Sequence, residues 1–232
     1  MSPFPHPSEA SPDGLLAVGG ALTPDWLLTA YSEGIFPWFE DDDGPVMWWS
    51  PDPRAVTTPG SMRVTRSLAQ RIRRGGYVVS MDRAFNDVIT GCAQARATTG
   101  TWITKEMIRA YTELHELGFA HSVETWQGST LVGGLYGLSI GRMFFGESMF
   151  AGATDASKVA FAALHAQLQR WQFDLIDCQL PNPHLESLGV ETRDRASFLK
   201  RLAANDSSAT RRGAWQLDDD WAETALAMRS GA

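Results

Sequence analysis

Three short stretches of this chain combine polar groups with apolar surroundings in a way that folding alone does not require. In Phe145-Gly146-Glu147-Ser148-Met149-Phe150 a carboxylate sits inside an aromatic, strand-like run. An ionised carboxylate there is costly unless it is solvated, paired or bound to a cation. Two readings stand: strand alternation turns Glu147 to a wet face, or Glu147 serves a site. In Leu175-Ile176-Asp177-Cys178-Gln179, at the end of a strand that reads as central, Asp177 and Gln179 are two apart. An extended chain projects both from one face and sends Ile176 and Cys178 to the other. Asp177 can then accept a proton or hold the amide in one orientation, while Gln179, which does not titrate, can orient an amine or polarise a carbonyl. The blander reading is that the pair satisfies backbone groups where the strand ends. The third stretch is basic: Arg63, Arg66, Arg71, Arg73 and Arg74, with no acidic residue between Gly60 and Met81. Concentrated guanidinium groups grip phosphate oxygens bidentately and supply salt-sensitive affinity for nucleic acid. The same arginines also suit a solvated helix face with Leu68 and Ile72 turned inward.

Other familiar chemistries are missing. The chain has no GxxxxGK[ST], no GxGxxG opening a helix after a strand, no HExxH and no GxSxG. Its two cysteines, Cys92 and Cys178, are far apart, which excludes a CxxC zinc site and reads as buried thiols. The five histidines are scattered, and only His184 lies near a candidate site, so metal catalysis has no support. Nine tryptophans are more large aromatic surface than a core of this size needs, so some are candidates to face a ligand.

These residues need elements to position them. Residues 1–62 are rich in turn formers and read as a small, loop-rich N-terminal domain, interrupted by one helix capped at Thr23, started by Pro24 and stopped at Gly34. Residues 63–232 carry regular periodicity. Helices are expected from Thr65 to Arg74, around Phe85, Val88, Ile89 and Cys92, and after Thr104 to Gly118. Strands are expected at Tyr77–Met81, His121–Trp126, Leu131–Ile140 and Met143–Phe150, the last three joined by turns into an antiparallel meander. A helix from about Asp155 to Trp171 then leads to a strand at Phe173–Gln179, a strand–helix–strand crossover. The whole reads as an α+β fold on a mixed, mostly antiparallel sheet.

Composition sets the outer bounds. The 232 residues carry 20 basic and 27 acidic side chains, a formal charge of −7, with 44% hydrophobic and 20% charged residues. That is enough apolar material for a core and too little net charge for disorder. The longest uncharged stretch, Thr125 to Gly141, holds five glycines and does not suit a bilayer span. The N-terminus has neither a basic n-region nor an apolar h-region, so a soluble protein of the cytoplasm is expected. Asp218-Asp219-Asp220 near the C-terminus reads as solvated surface.

Taken together, several stretches resemble the leucyl/phenylalanyl-tRNA-protein transferase family. They are Gly14-Leu15-Leu16-Ala17-Val18-Gly19-Gly20, Gly34-Ile35-Phe36-Pro37-Trp38-Phe39, Trp48-Trp49-Ser50-Pro51-Asp52-Pro53-Arg54 and Gly100-Thr101-Trp102-Ile103-Thr104. Further along come Phe145 to Phe150 with Asp155-Ala156-Ser157-Lys158, and Ile176-Asp177-Cys178-Gln179 with Asn182, His184 and Ser187-Leu188-Gly189. The resemblance implies a GNAT-like acyltransferase domain after the small N-terminal one. It implies transfer of Leu or Phe, and less well Met, from aminoacyl-tRNA to the α-amine of proteins with N-terminal Arg or Lys, which marks them for degradation by an N-degron pathway. No metal or cofactor is implied, the partners are Leu-tRNA, Phe-tRNA and such proteins or peptides, and a monomer with no membrane association is expected.

Carried onto this sequence, the resemblance makes Asp177 and Gln179 a polar relay and Glu147 the group that hydrogen-bonds the aminoacyl amine, with orientation of the attacking amine favoured over proton abstraction by Asp177. It places Trp49 and Trp102 around the terminal adenosine, lines the amino-acid pocket with Leu135, Phe144, Met149, Phe161, Leu164 and Ile176, and puts Asn182 among the substrate contacts. Arg63, Arg66, Arg71, Arg73 and Arg74 fall where the family holds the tRNA acceptor stem. Glu40 to Asp43 are candidates for the cationic N-terminus of the acceptor. Two rivals are an acyl-CoA-dependent GNAT N-acyltransferase, whose [QR]-x-x-G-x-[GA] turn is absent from Met149 to Lys158, and a non-catalytic RNA-binding module.

Overall fold

The computed structural model describes residues 2–39, 44–96 and 102–228. Strand β1 (Leu15–Val18) is followed by α1 (Pro24–Ser32), whose start is fixed by Thr23 accepting the Trp26 N–H and by Pro24 in the first turn. Strands β2 (Phe36–Pro37) and β3 (Met47–Trp49) join β1 in an antiparallel sheet of order β1-β3-β2. The next strand, β4 (Arg54–Thr57), leaves that sheet for a larger one. The segment read as the N-terminal unit thus lends a strand to the rest of the molecule.

Helix α2 (Arg66–Arg74) is capped by Thr65 and ends at Gly75. Then come β5 (Val78–Met81), α3 (Phe85–Arg96), and α4 (Lys105–Glu116), which Thr104 caps. The meander is β6 (Ala120–Gln127), β7 (Thr130–Ile140) and β8 (Met143–Ala151). Helix α5 (Ala156–Arg170) returns the chain so that β9 (Leu175–Gln179) runs parallel to β8. A short α6 (Pro183–Ser187), β10 (Glu191–Arg193), α7 (Arg195–Ala203) and α8 (Trp221–Ala227) follow. The seven strands lie in the order β10-β4-β9-β8-β7-β6-β5, with β8 and β9 the parallel pair, a mixed and mostly antiparallel sheet.

Each face of this sheet has its own core. On one, Phe145, Leu138 and Tyr136 meet Val88 and Ile89 of α3, Tyr111 and Leu114 of α4, and Leu27 and Tyr31 of α1. On the other, Leu135, Phe144 and Ile176 meet α5, whose residues from Val159 to Leu168 are buried without interruption. Burial on this scale stabilises by about 1.5–3 kcal/mol per large apolar side chain. It explains why α5 lacks a polar stripe over that run. No helix of the described residues is long and apolar enough to cross a membrane.

The C-terminal segment adds detail to one expectation. Asp218, Asp219 and Asp220 are exposed, as their charge suggests, but two of them also hold the segment down: Asp218 and Asp220 pair with Arg170 of α5, and Asp218 accepts from the Gln167 side chain at 3.1 Å. Ahead of them Trp215 is buried, stacked on His121 at 3.7 Å, and its N–H donates to Asp82 at 2.7 Å. The tail is strapped over the sheet, an arrangement that charge runs alone do not reveal.

Candidate active site

The site grows from a split between β8 and β9. The two strands pair only from Met143 and Leu175 to Phe145 and Asp177. Beyond that point each carries an extra residue. On β8, Gly146 faces Gly137 and Ser148 faces Tyr136, which leaves Glu147 unmatched; on β9, Asp177 faces Val56 and Gln179 faces Ala55, which leaves Cys178 unmatched. Bulges of this kind bend a strand and re-aim its side chains. Gly137 is needed beside the first of them, because a Cβ there would lie 2.2 Å from the Phe145 carbonyl oxygen. A cleft of about 570 Å³ opens at the split.

Six apolar side chains from three strands and α5 line the cleft: Leu135 of β7, Phe144 and Met149 of β8, Ile176 of β9, and Phe161 and Leu164 of α5. Phe36, Pro37, Trp38 and Trp102 also border it, and Glu147, Ser148, Ser157, Gln179, Asn182 and His184 are among its polar residues. The arrangement suits a ligand with an aliphatic or aromatic side chain and a polar head.

Glu147 is half-buried and held from behind. Tyr31 of α1 donates to Oε1 at 2.6 Å and Tyr111 of α4 to Oε2 at 3.0 Å, and the two phenol oxygens are 2.5 Å apart. Burial raises its pKa to about 7, against the two phenol hydrogen bonds, which lower it; the charge of Asp177 raises it further. Tyr31 and Tyr111 are themselves raised well above 10, by burial first and by the Glu147 charge next. A carboxyl group so placed takes or releases a proton near neutrality and offers its charge to a cation entering the cleft.

Asp177 lies on the opposite face and is fully buried. Arg54 of β4, also fully buried, donates Nε to Oδ1 at 2.8 Å and Nη2 to Oδ2 at 2.7 Å. Asp177 Oδ1 also accepts the Gln179 N–H at 3.0 Å. Gln179 takes φ +57°, the left-handed region that non-glycine residues rarely adopt, and its amide Nε2 approaches Glu147 Oε1 at 3.4 Å. The expectation that Asp177 and Gln179 share a face is therefore corrected. The extra residue at Cys178 and the left-handed backbone at Gln179 break the alternation, so that Ile176, Cys178 and Gln179 border the cleft and Asp177 does not.

The remaining sequence candidates are distributed unevenly. Trp102 borders the cleft, whereas Trp49 does not: its indole N–H donates to the Trp38 carbonyl at 2.7 Å and its ring meets Trp38 edge-on, and it is Trp38 that borders the cleft. Asn182 borders the cleft while its Oδ1 caps α6 by accepting the Leu185 N–H at 2.9 Å. Arg63, Arg66, Arg73 and Arg74 are exposed, and Arg71 is half-buried with its guanidinium over the Tyr77 ring. None of the five borders the cleft; α2, which carries four of them, packs on α5, the helix that supplies Phe161 and Leu164. Cys92 is buried, but Cys178 is half-buried at the cleft, its thiol pKa pushed up by burial and then by the Asp177 charge. Glu40 to Asp43, and Gly100 and Thr101, lie outside the described residues. Among the described residues no group of three or more His, Cys, Asp or Glu is arranged to hold a metal.

Sequence reasoning passed over Tyr31, Tyr111, Trp38 and Arg54. Trp38 and Arg54 stand in stretches already singled out, Phe36-Pro37-Trp38 and Asp52-Pro53-Arg54. The tyrosines carried no signal, since each sits at a helical position that reads as core.

Comparison with known proteins bears on this geometry. Residues 56–203 match the model of the leucyl/phenylalanyl-tRNA protein transferase, and residues 20–52 that of its N-terminal domain. The chain is 56% identical over 217 residues to a leucyl/phenylalanyl-tRNA–protein transferase of Anaeromyxobacter sp. (strain Fw109-5), covering 93% of this chain and 92% of that one. It is 51% identical over 219 residues to the protein of that name from Nitrosospira multiformis, covering 94% of each. Among solved structures, L-PGS from Bacillus licheniformis aligns at a TM-score of 0.41 and 10% identity over 69% of this chain and 52% of that one, too distant to inform the fold.

Proposed function

The chain belongs to the leucyl/phenylalanyl-tRNA protein transferase family, and we propose that it moves leucine or phenylalanine, and less well methionine, from aminoacyl-tRNA to the α-amine of proteins beginning with Arg or Lys. In this reading it works in the cytoplasm as a monomer, and the product enters an N-degron pathway. The observation that carries the reading is one cleft in which an apolar pocket ends at Glu147 and Gln179. The short parallel pairing of β8 and β9, with the cleft where they part, supports a GNAT-like acyltransferase domain.

The chemistry asks little of such a site beyond alignment, because the aminoacyl ester is already activated. The acceptor nitrogen, as a neutral amine, attacks the ester carbonyl carbon. The bond from that carbon to the terminal ribose oxygen breaks, and the surplus proton of the amine ends on the released ribose hydroxyl. One ester becomes one amide with no other reactant. Leu135, Phe144, Met149, Phe161, Leu164 and Ile176 seat the side chain of the donor, and Glu147 takes its ammonium, a contact that favours the ionised carboxylate. The Gln179 carboxamide orients the incoming amine. Asp177 acts through Gln179, since Arg54 occupies both of its oxygens. Trp102 and Trp38 offer flat faces to the terminal adenine, and the α2 arginines with Arg63 reach acceptor-stem phosphates.

The test is incubation with Leu-tRNA and a peptide beginning with Arg, without acetyl-CoA, read by mass. A leucyl adduct at the N-terminus, abolished by RNase treatment of the donor, is the expected result. An unmodified peptide, or an adduct that depends on acetyl-CoA, refutes it.

A further inference from the structure

Arg54 has more partners than its place in a short strand requires. Besides both oxygens of Asp177, its Nη1 donates to the Gly34 carbonyl at 3.1 Å, and its guanidinium carbon lies 4.9 Å from the Phe36 ring centre and 4.6 Å from that of Phe198 in α7. The side chain is fully enclosed. A buried ion pair is weak evidence for stability, because desolvation offsets most of the Coulomb gain and apolar residues of similar volume often hold a core as well. What the guanidinium does supply is rigid geometry, a planar fork whose donors are fixed relative to one another.

The two things it fixes both border the cleft. Through Asp177 it reaches the Gln179 N–H and the left-handed turn that aims the carboxamide. Through Gly34 and the Phe36 face it reaches the segment Phe36-Pro37-Trp38, which forms another wall. Between Gly34 and Gln179 run no strand pairings: β2 belongs to the small sheet and β9 to the large one. Arg54 itself sits on β4, beside β9.

We propose that Arg54 is a positioning residue for aminoacyl transfer, registering the Phe36–Trp38 wall against Gln179 so that donor ester and acceptor amine meet in line. This rests on the transfer reaction proposed above. It gives the small sheet a direct role in the reaction, since the donor's seat and the acceptor's guide are set by one side chain. Misplacement by about 1 Å costs on the order of 100-fold in rate.

The experiment is single-turnover transfer by Arg54→Lys, with saturating enzyme and preloaded Leu-tRNA. Lysine keeps the charge but cannot bridge both carboxylate oxygens and the Gly34 carbonyl at once. The expected result is a full reaction amplitude, as in the unmodified protein, with a rate constant lower by roughly 30- to 100-fold, and a KM for the peptide within about threefold of the original. A merely structural role predicts the opposite split, a reduced amplitude from the folded fraction with an unchanged rate constant, and that outcome overturns the proposal. Should Arg54→Lys fail to fold, Phe198→Leu decides: it removes one face from the guanidinium and leaves the ion pair. A several-fold slower rate at full amplitude supports the proposal, and an unchanged rate overturns it. Activity of the unmodified protein on the same substrates separates failure of this inference from failure of the transferase reading.

Discussion

Replacing Glu147 by glutamine sets stability and activity against each other. Burial moves the carboxyl group from its ordinary 4.5 to about 7. At about 1.36 kcal/mol per pKa unit, the ionised group costs the folded state roughly 3 kcal/mol. The sign follows from proton counting. Below pH 4.5 Glu147 is protonated whether the chain is folded or not, and the penalty is absent. Between 4.5 and 7 the folded state binds more protons than the unfolded state, so stability falls as pH rises; above 7 both are ionised and the loss is complete. Glu147→Gln removes this dependence. It should match the parent near pH 4.5 and melt about 6–12 °C higher at pH 8, at roughly 2–4 °C per kcal/mol for a chain of this size. Tyr31 and Tyr111 still find an oxygen and an amide at position 147, so no phenol is stranded. In the transfer assay the same variant loses most of its activity, because a neutral amide gives a donor ammonium no counter-charge. Thermal melts of both proteins across pH 4 to 8 test the reasoning. A constant difference between them, or a variant less stable than its parent at pH 8, refutes it.

Three other outcomes follow from the same geometry. Trp102→Ala and Trp38→Ala each weaken binding of an aminoacyl-adenosine donor by about 1–3 kcal/mol, the value of one base–aromatic stack; Trp49→Phe has a smaller effect, acting only through Trp38, and titration of the three variants against one donor checks the order. Arg71→Ala with Arg73→Ala lowers transfer from intact aminoacyl-tRNA and reduces the slope of log affinity against log salt by about 2, while a minimal aminoacyl-adenosine donor is nearly unaffected; equal losses with both donors refute phosphate contact by these arginines. Trp215→Ala removes a ring buried against His121 and Trp171 and costs about 3–5 kcal/mol, which denaturant titration reads directly, whereas Asp219→Asn, outside the Arg170 pairs, changes stability by less than about 0.5 kcal/mol.

Much of the fold was legible because its signals are local. Thr23, Thr65 and Thr104 each cap the helix that their spacing announces, and the glycines after α2 and α4 mark where those helices stop. The meander and the crossover follow from apolar periodicity and short turns. What stayed hidden depends on register. A bulge is one residue of mismatch between two strands, and nothing in Gly146-Glu147-Ser148 or Asp177-Cys178-Gln179 states which partner residue is skipped. The alternation rule therefore put Asp177 beside Gln179, and it offered Glu147 a wet face that the structure replaces with two phenols. The burial of Arg54 was hidden for a related reason, since nothing in Asp52-Pro53-Arg54 names the carboxylate that the fold brings opposite it.

The two bulges also explain how one sheet treats its two candidate carboxylates differently. Asp177 precedes its bulge and keeps the strand's direction, into the core face, where only a cation with a matching fork makes a buried charge tolerable. Glu147 is itself the extra residue and turns toward the cleft, where phenol dipoles support its charge without cancelling it. A guanidinium against Glu147 would fix it as an anion and leave an incoming ammonium little to gain. Two phenols leave it near neutrality, able to gain charge when a cation arrives. The contrast between Arg54 on one carboxylate and Tyr31 with Tyr111 on the other is thus the electrostatic ground for the proposed division, a positioning role for Asp177 and a substrate contact for Glu147.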